Sequence, residues 1–170
     1  MKYEHIEELE TFLRSVECAL LLREDNRYLI SYPQRRVSPW DANELDKVNK
    51  SILDAASGSA NVYAIFTAPQ NSGSFSLRYI GKTTRQLARQ RIRNHLITKN
   101  DKTGAKLENV QRHVLSGGQV KISWQKIEPE SLRNYLEEEL IDRHKEADWN
   151  QRTSNKRKIN TGIEATSVIE

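Results

Sequence analysis

Asn61-Val62-Tyr63-Ala64-Ile65-Phe66-Thr67, followed by Ala68-Pro69-Gln70-Asn71-Ser72-Gly73-Ser74 and then by Phe75-Ser76-Leu77-Arg78-Tyr79-Ile80-Gly81, is the stretch that decides the fold. Its two outer runs are rich in aromatic and β-branched residues with a period of two. The Pro, Asn and Gly between them suit a reversal of direction, so the stretch reads as strand, hairpin connection, strand. Helical spacing returns over 84–98, where Leu87, Ala88, Ile92 and Leu96 are apolar. A second helix over 105–115 ends at Gly117-Gly118, a suitable C-cap. Val120-Lys121-Ile122-Ser123-Trp124 alternates as a third strand, and Pro129 or Ser131 opens a last helix through Tyr135, Leu136, Leu140 and Ile141. The order β-β-α-α-β-α over 61–150 predicts an α+β unit: a small three-stranded antiparallel sheet flanked by helices.

Outward from this core, residues 1–60 read as a mainly helical N-terminal extension. Ile6, Leu9, Leu13, Val16 and Leu20 are spaced by three and four along a helix from about Tyr3 to Arg23, and Cys18, near its apolar end, reads as a small core residue. Arg27 to Tyr32 suits a short strand. Asp41 suits the N-cap of a helix carrying Leu45, Val48, Ile52 and Leu53, which fades at Ser57-Gly58-Ser59. The extension is expected to pack on the core or to form a subunit interface, so a homodimer or higher oligomer is one expected assembly. Residues 151–170 are polar and aperiodic and read as a tail.

The 170 residues suffice for one domain with an appendage, and the longest apolar run, Cys18 to Leu22, has five residues where a bilayer needs about 20. No membrane span is expected. A single cysteine and an acidic, helix-forming N-terminus suit a cytoplasmic protein without a cleaved secretion signal. The net charge of +4 is unevenly distributed. Residues 1–60 and 128–170 each carry −3, whereas 61–127 hold 12 basic side chains against Asp101 and Glu108 alone. A basic block of this kind suits a polyanionic partner, because each cation that meets a phosphate releases counterions.

Gly81-Lys82-Thr83 lacks the upstream glycine of a phosphate loop, since Ser76 occupies that position, and the four histidines fit no zinc-ligand spacing. What stands together is Tyr63 on the first strand, Tyr79-Ile80-Gly81-Lys82 on the second, Arg91 and His95 one turn apart on the next helix, Leu136-Glu137-x2-Leu140-Ile141 on the last, and Trp149-Asn150 after it. Each signal alone is ordinary. Their joint order over 61–150 resembles the GIY-YIG endonuclease family, with Asn61-Val62-Tyr63 in place of the first motif and Tyr79-Ile80-Gly81 as the second. Two features depart from that pattern: Asn61 replaces the first Gly, and 15 residues separate Tyr63 from Tyr79.

The resemblance implies a metal-dependent DNA endonuclease that hydrolyses phosphodiester bonds by nicking or double-strand cleavage. Glu137 would hold one Mg2+ or Mn2+, with substrate phosphate and water completing the shell. Tyr63 would act as general base or position the water. An ordinary phenol is a weak base at neutral pH, so Lys82, Arg91 and the metal would have to stabilise its anion. Tyr79 would orient water or phosphate, Arg91 would clamp the scissile phosphate, His95 would support proton transfer or hold the phosphate, and Asn150 would brace the site. Arg89 competes with Arg91, and Glu138 with Glu137. Arg85, Arg89, Arg93, Lys99, Lys102 and Lys106 are candidates for contacts to DNA phosphates. The alternative function is a catalytically inactive nucleic-acid-binding module on the same scaffold.

Overall fold

The computed structural model describes residues 3–33, 40–98 and 106–150. The chain is α+β, built on an antiparallel sheet of four strands. Its main elements are α1 (Ile6–Glu17), β1 (Tyr28–Leu29), α2 (Ala42–Val48), α3 (Lys50–Ala56), β2 (Val62–Ala68), β3 (Ser76–Lys82), α4 (Ala88–Leu96), α5 (Leu107–Leu115), β4 (Gln119–Gln125) and α6 (Arg133–Arg143). The strand order is β1-β4-β2-β3.

The expected three-stranded sheet is therefore corrected to four. Tyr28 and Leu29 pair with Ile122 and Lys121, and the Ile30 N–H donates to the Val120 carbonyl, which adds a short strand from the N-terminal extension to the outer edge of β4. Ser31 continues this path. Its N–H and C=O are both taken by the side-chain amide of the buried Asn49, at 2.8 and 2.9 Å.

β2 lies inside the sheet and all seven of its residues are buried, so its sequence is apolar on both faces. Tyr63 and Ile65 face a cluster that includes Leu45, Leu53, Ala88, Ile92 and Val110 from α2 through α5. Val62, Ala64 and Phe66 face the opposite cluster, with Leu13, Val16, Leu20, Leu136 and Leu140 from the first and last helical segments. The result is three layers, helices on sheet on helices, and residues before 61 fill part of both cores. Truncating a fully buried Leu13 or Leu53 to Ala would cost about 2–5 kcal/mol by cavity formation.

The hairpin between β2 and β3 slips register between Ile65 and Phe66: Ile65 opposes Tyr79, but Phe66 opposes Leu77, and Arg78 is passed over. Leu77 and Tyr79 would share a face in a regular strand. The bulge sends Leu77 into the cluster of Phe66 and leaves Tyr79 with Tyr63.

The first helix does not run unbroken to Arg23. After Glu17 the chain widens into a π-helical turn, Cys18–Leu22, whose carbonyls are received from outside the helix. Asn26 donates its amide to the Ala19 carbonyl, Ser123 its hydroxyl to that of Leu20, and Arg27 its guanidinium to that of Leu21. The wider turn buries Leu20 and Leu21, leaves Leu22 exposed, and turns Cys18 outward, so Cys18 is no core residue. Asp41 caps α2 through the N–H groups of Asn43 and Glu44, and Gly117 (φ +89°) ends α5 in the left-handed conformation expected of a C-cap glycine. Among the described residues, no helix is long and apolar enough to cross a membrane.

Candidate active site

Antiparallel register places Tyr63 opposite Gly81, two residues beyond Tyr79 on β3. The two phenol rings therefore meet diagonally on one face, 6.1 Å between centroids. Gly81 is required by this approach. A β-carbon there would lie 2.7 Å from Cζ and Oη of Tyr63 and 2.7 Å from Cε1 of Tyr79.

His95 completes a cluster of three rings, 5.6 Å from Tyr63 and 5.0 Å from Tyr79 between centroids. Its hydrogen bonds fix its tautomer. The backbone N–H of Lys106 donates to Nδ1 at 3.1 Å, so Nδ1 is the bare nitrogen and Nε2 carries the hydrogen. Nε2 lies 2.8 Å from the Tyr63 hydroxyl and donates to it. Burial, with the nearby charges of Arg91 and Lys106, pushes the His95 pKa down to about 3, so the ring is neutral at physiological pH. It is therefore a hydrogen-bond donor to the Tyr63 oxygen and not a proton acceptor from it.

Arg91 lies one helical turn before His95 on α4, and its guanidinium acts on both phenols. Burial raises the Tyr63 pKa well above the usual phenol value, and the neighbouring Tyr79 raises it further; the charge and hydrogen bonding of Arg91 oppose that rise. Tyr79 is likewise raised by burial, lowered by Arg91 and raised by the charge of Glu137. Arg91, not Arg89, is the arginine at the tyrosines.

Glu137 approaches from the other layer. It lies on α6 and reaches the edge strand β3, where its carboxylate meets Lys82 Nζ at 2.7 Å. Strand alternation explains this pairing. Lys82 opposes Val62, not Tyr63, so the ammonium expected beside the phenol is held by Glu137 instead. Glu138 is exposed to solvent. Asn150 braces the same edge: its Oδ1 accepts from the Ile80 N–H and its Nδ2 donates to the Ile80 carbonyl, both at 2.7 Å. The amide thus occupies the place of a further strand. Asn61, where the first motif would have Gly, makes the same kind of clamp on Ile127, with both hydrogen bonds at 2.8 Å.

The remaining candidate cations are placed differently. Arg93 forms a forked pair with Asp46, Arg89 bonds Asp54, and Arg85 reaches Glu128 and Glu130. Lys126 also pairs with Glu128, and Arg78 with Asp148. Among the described residues, Arg78, Lys82, Arg85, Arg89, Arg93 and Lys126 of the basic block thus meet carboxylates from the two acidic flanks. Lys99 and Lys102 lie outside the described residues. Lys106 is at the site, with its ammonium 5.6 Å from the Tyr79 ring centroid. A candidate general phosphate contact by sequence, it is tied to the site by its N–H, which donates to His95.

A cleft of about 340 Å3 opens elsewhere, between Ile30–Tyr32, Gln70 and Gly117–Gly118, and no Lys, Arg, Asp, Glu or His lines it. Comparison with family models, with curated proteins and with solved structures finds no match for the chain.

Proposed function

We propose that the chain is a metal-dependent DNA endonuclease of the GIY-YIG type, with its site astride the edge strand β3. The observation that carries this reading is the convergence of Tyr63, Tyr79, His95 and Arg91 on one face of the strand while Glu137 reaches the same edge from the other. A structural tyrosine cluster needs neither an arginine turned inward on the phenols nor a carboxylate acting on one of them.

The Tyr63 oxygen receives hydrogen bonds from His95 and Arg91, the donors that stabilise a phenolate once its proton leaves. With its oxygen accepting from these neighbours, the Tyr63 phenol turns its own hydrogen toward Tyr79, whose oxygen accepts it. Arg91 offers the forked donors that suit a phosphate and stays charged. Tyr79, less enclosed than Tyr63, would orient a water or a phosphate oxygen. Glu137 is the group that would hold Mg2+ or Mn2+; one carboxylate fits an ion that takes its other ligands from water and substrate phosphate. Such an ion supplies Lewis acidity and activates bound water. Asn150 holds the strand edge, since both ends of its amide are occupied by Ile80.

The alternative, a binding module without catalysis, is less well supported. Binding alone would favour an open basic face, yet Arg85, Arg89 and Arg93 are turned onto the chain's own carboxylates. The test is cleavage of plasmid and oligonucleotide duplexes with Mg2+ or Mn2+. Glu137→Ala should abolish cutting while duplex binding persists. Full cleavage by Glu137→Ala/Glu138→Ala would overturn the assignment, and binding with no cleavage by the wild-type protein under either metal would favour the alternative.

A further inference from the structure

Lys106 immediately precedes α5 and meets the site twice. Its backbone N–H holds His95 Nδ1, and its ammonium lies beside the Tyr79 ring. Arg91 acts on the same phenols from α4. Two cations therefore converge on the Tyr79 ring. Burial and the charge of Arg91 both hold the Lys106 pKa below its ordinary value, so the two groups are close enough to repel. Lys82, Arg85, Arg89 and Arg93 each have a carboxylate partner. Among the described residues, no carboxylate is paired with the Lys106 ammonium. Like charges gathered at a partly buried place raise the local potential, and a bound anion offsets it.

We propose that Lys106 is a direct ligand of the scissile phosphate, forming with Arg91 a two-cation cradle for one phosphodiester anion beside Tyr79. The identity of that anion as DNA rests on the nuclease reading above; the cradle itself does not. The guanidinium supplies a fixed fork and the ammonium a compact charge on a flexible stem, so the two can follow a phosphate as its oxygens rearrange. The same residue fixes the His95 tautomer through its main chain. Anion binding and the hydrogen bond to Tyr63 are thereby tied to one position in the chain.

Substitution of the side chain separates these roles, because Lys106→Met keeps the N–H that His95 needs. Inorganic phosphate and diethyl phosphate are titrated, with chelator present, into the wild-type protein, Lys106→Met, Lys106→Arg and Lys121→Met. Tyrosine near-ultraviolet absorbance reports the site and thermal unfolding reports the fold. Lys106→Met should weaken binding about tenfold, the scale of one charge-assisted hydrogen bond, while Lys106→Arg stays within about threefold and Lys121→Met matches the wild type. If Lys106→Met does not fold, Lys106→Gln takes its place. Equal affinities for the wild type and the neutral variant, or no phosphate binding by the wild type, would overturn the proposal. Lys106-dependent phosphate binding by a protein that cuts no duplex with Mg2+ or Mn2+ would instead sink the nuclease reading and leave the cradle standing.

Discussion

Helix α4 carries arginines on two sides, and their surroundings differ. Arg89 and Arg93 turn toward α2 and α3, where Asp54 and Asp46 receive them, whereas Arg91, with His95 one turn on, turns toward the phenols of β2 and β3. Residues two apart on a helix point roughly 200° from each other. A basic stripe in the sequence thus divides into one half neutralised by the chain itself and another that meets the phenols of Tyr63 and Tyr79. Charge counted along a chain cannot make this distinction, because the partners of Arg89 and Arg93 lie 35 and 47 residues away.

The most direct way to break this comparison is to remove one arginine from each half. Under the proposed nuclease function, Arg91→Ala should lower single-turnover cleavage by about a thousandfold, the scale of losing a donor aimed at developing charge. Arg93→Ala should leave the cleavage rate within about threefold and cost roughly 1 kcal/mol of stability, since its forked pair with Asp46 is partly exposed. Equal losses of activity in the two variants, measured on samples of matched thermal stability, would erase the division.

Gly81→Ala probes the ring cluster from the strand side. The added β-carbon would have to displace both phenols, and packing strain of this kind costs about 1–3 kcal/mol. Cleavage should fall by at least tenfold while β2 and β3 still pair. Retention of wild-type activity would show that the close approach of Tyr63 and Tyr79 is incidental.

His95 sharpens the comparison through pH. Its folded pKa, near 3, lies below the unfolded histidine value, so the unfolded chain binds more protons between about pH 6.5 and 3. The stability that this group contributes is present above that window and is lost as pH falls through it. Denaturant titrations from pH 7 to 4 should show a loss of a few kcal/mol in the wild type and a shallower loss in His95→Asn. Cleavage should rise with pH above 7 without a limb near 6.5, because His95 is already neutral there and the phenols titrate higher. A wild-type rate that climbs through 6.5 and then levels would assign the base to a histidine and overturn the role given to Tyr63.

The hairpin, α4, α5 and β4 were legible because their apolar periods are long and their turns carry Pro, Gly and Asn. Tyr63, Tyr79, Arg91, His95 and Glu137 were legible by order along the chain, and the structure adds how they meet. Other features had no local signal. β1 is two residues long and exists through its pairing with β4, so the fourth strand escapes periodicity. Asn49, Asn61 and Asn150 each satisfy both backbone groups of a distant residue, yet a lone Asn reads as loop chemistry. The Lys82–Glu137 pair joins two elements through a strand face that the hairpin register decides.

The finest test concerns Arg89. If its pairing with Asp54 persists when DNA is bound, Arg89→Gln removes no phosphate contact, and the slope of log affinity against log salt should be unchanged within a few tenths. Removing a true phosphate contact lowers the magnitude of that slope by about 1, so fluorescence anisotropy of a labelled duplex from low to moderate salt, with chelator to prevent cutting, resolves the two cases. Asp54→Asn supplies the reciprocal measurement: releasing Arg89 from its carboxylate should steepen the slope if the freed guanidinium can reach the duplex. A slope already reduced by about 1 in Arg89→Gln would mean that the ion pair opens on binding, and the structural side of α4 would then belong to the DNA interface as well.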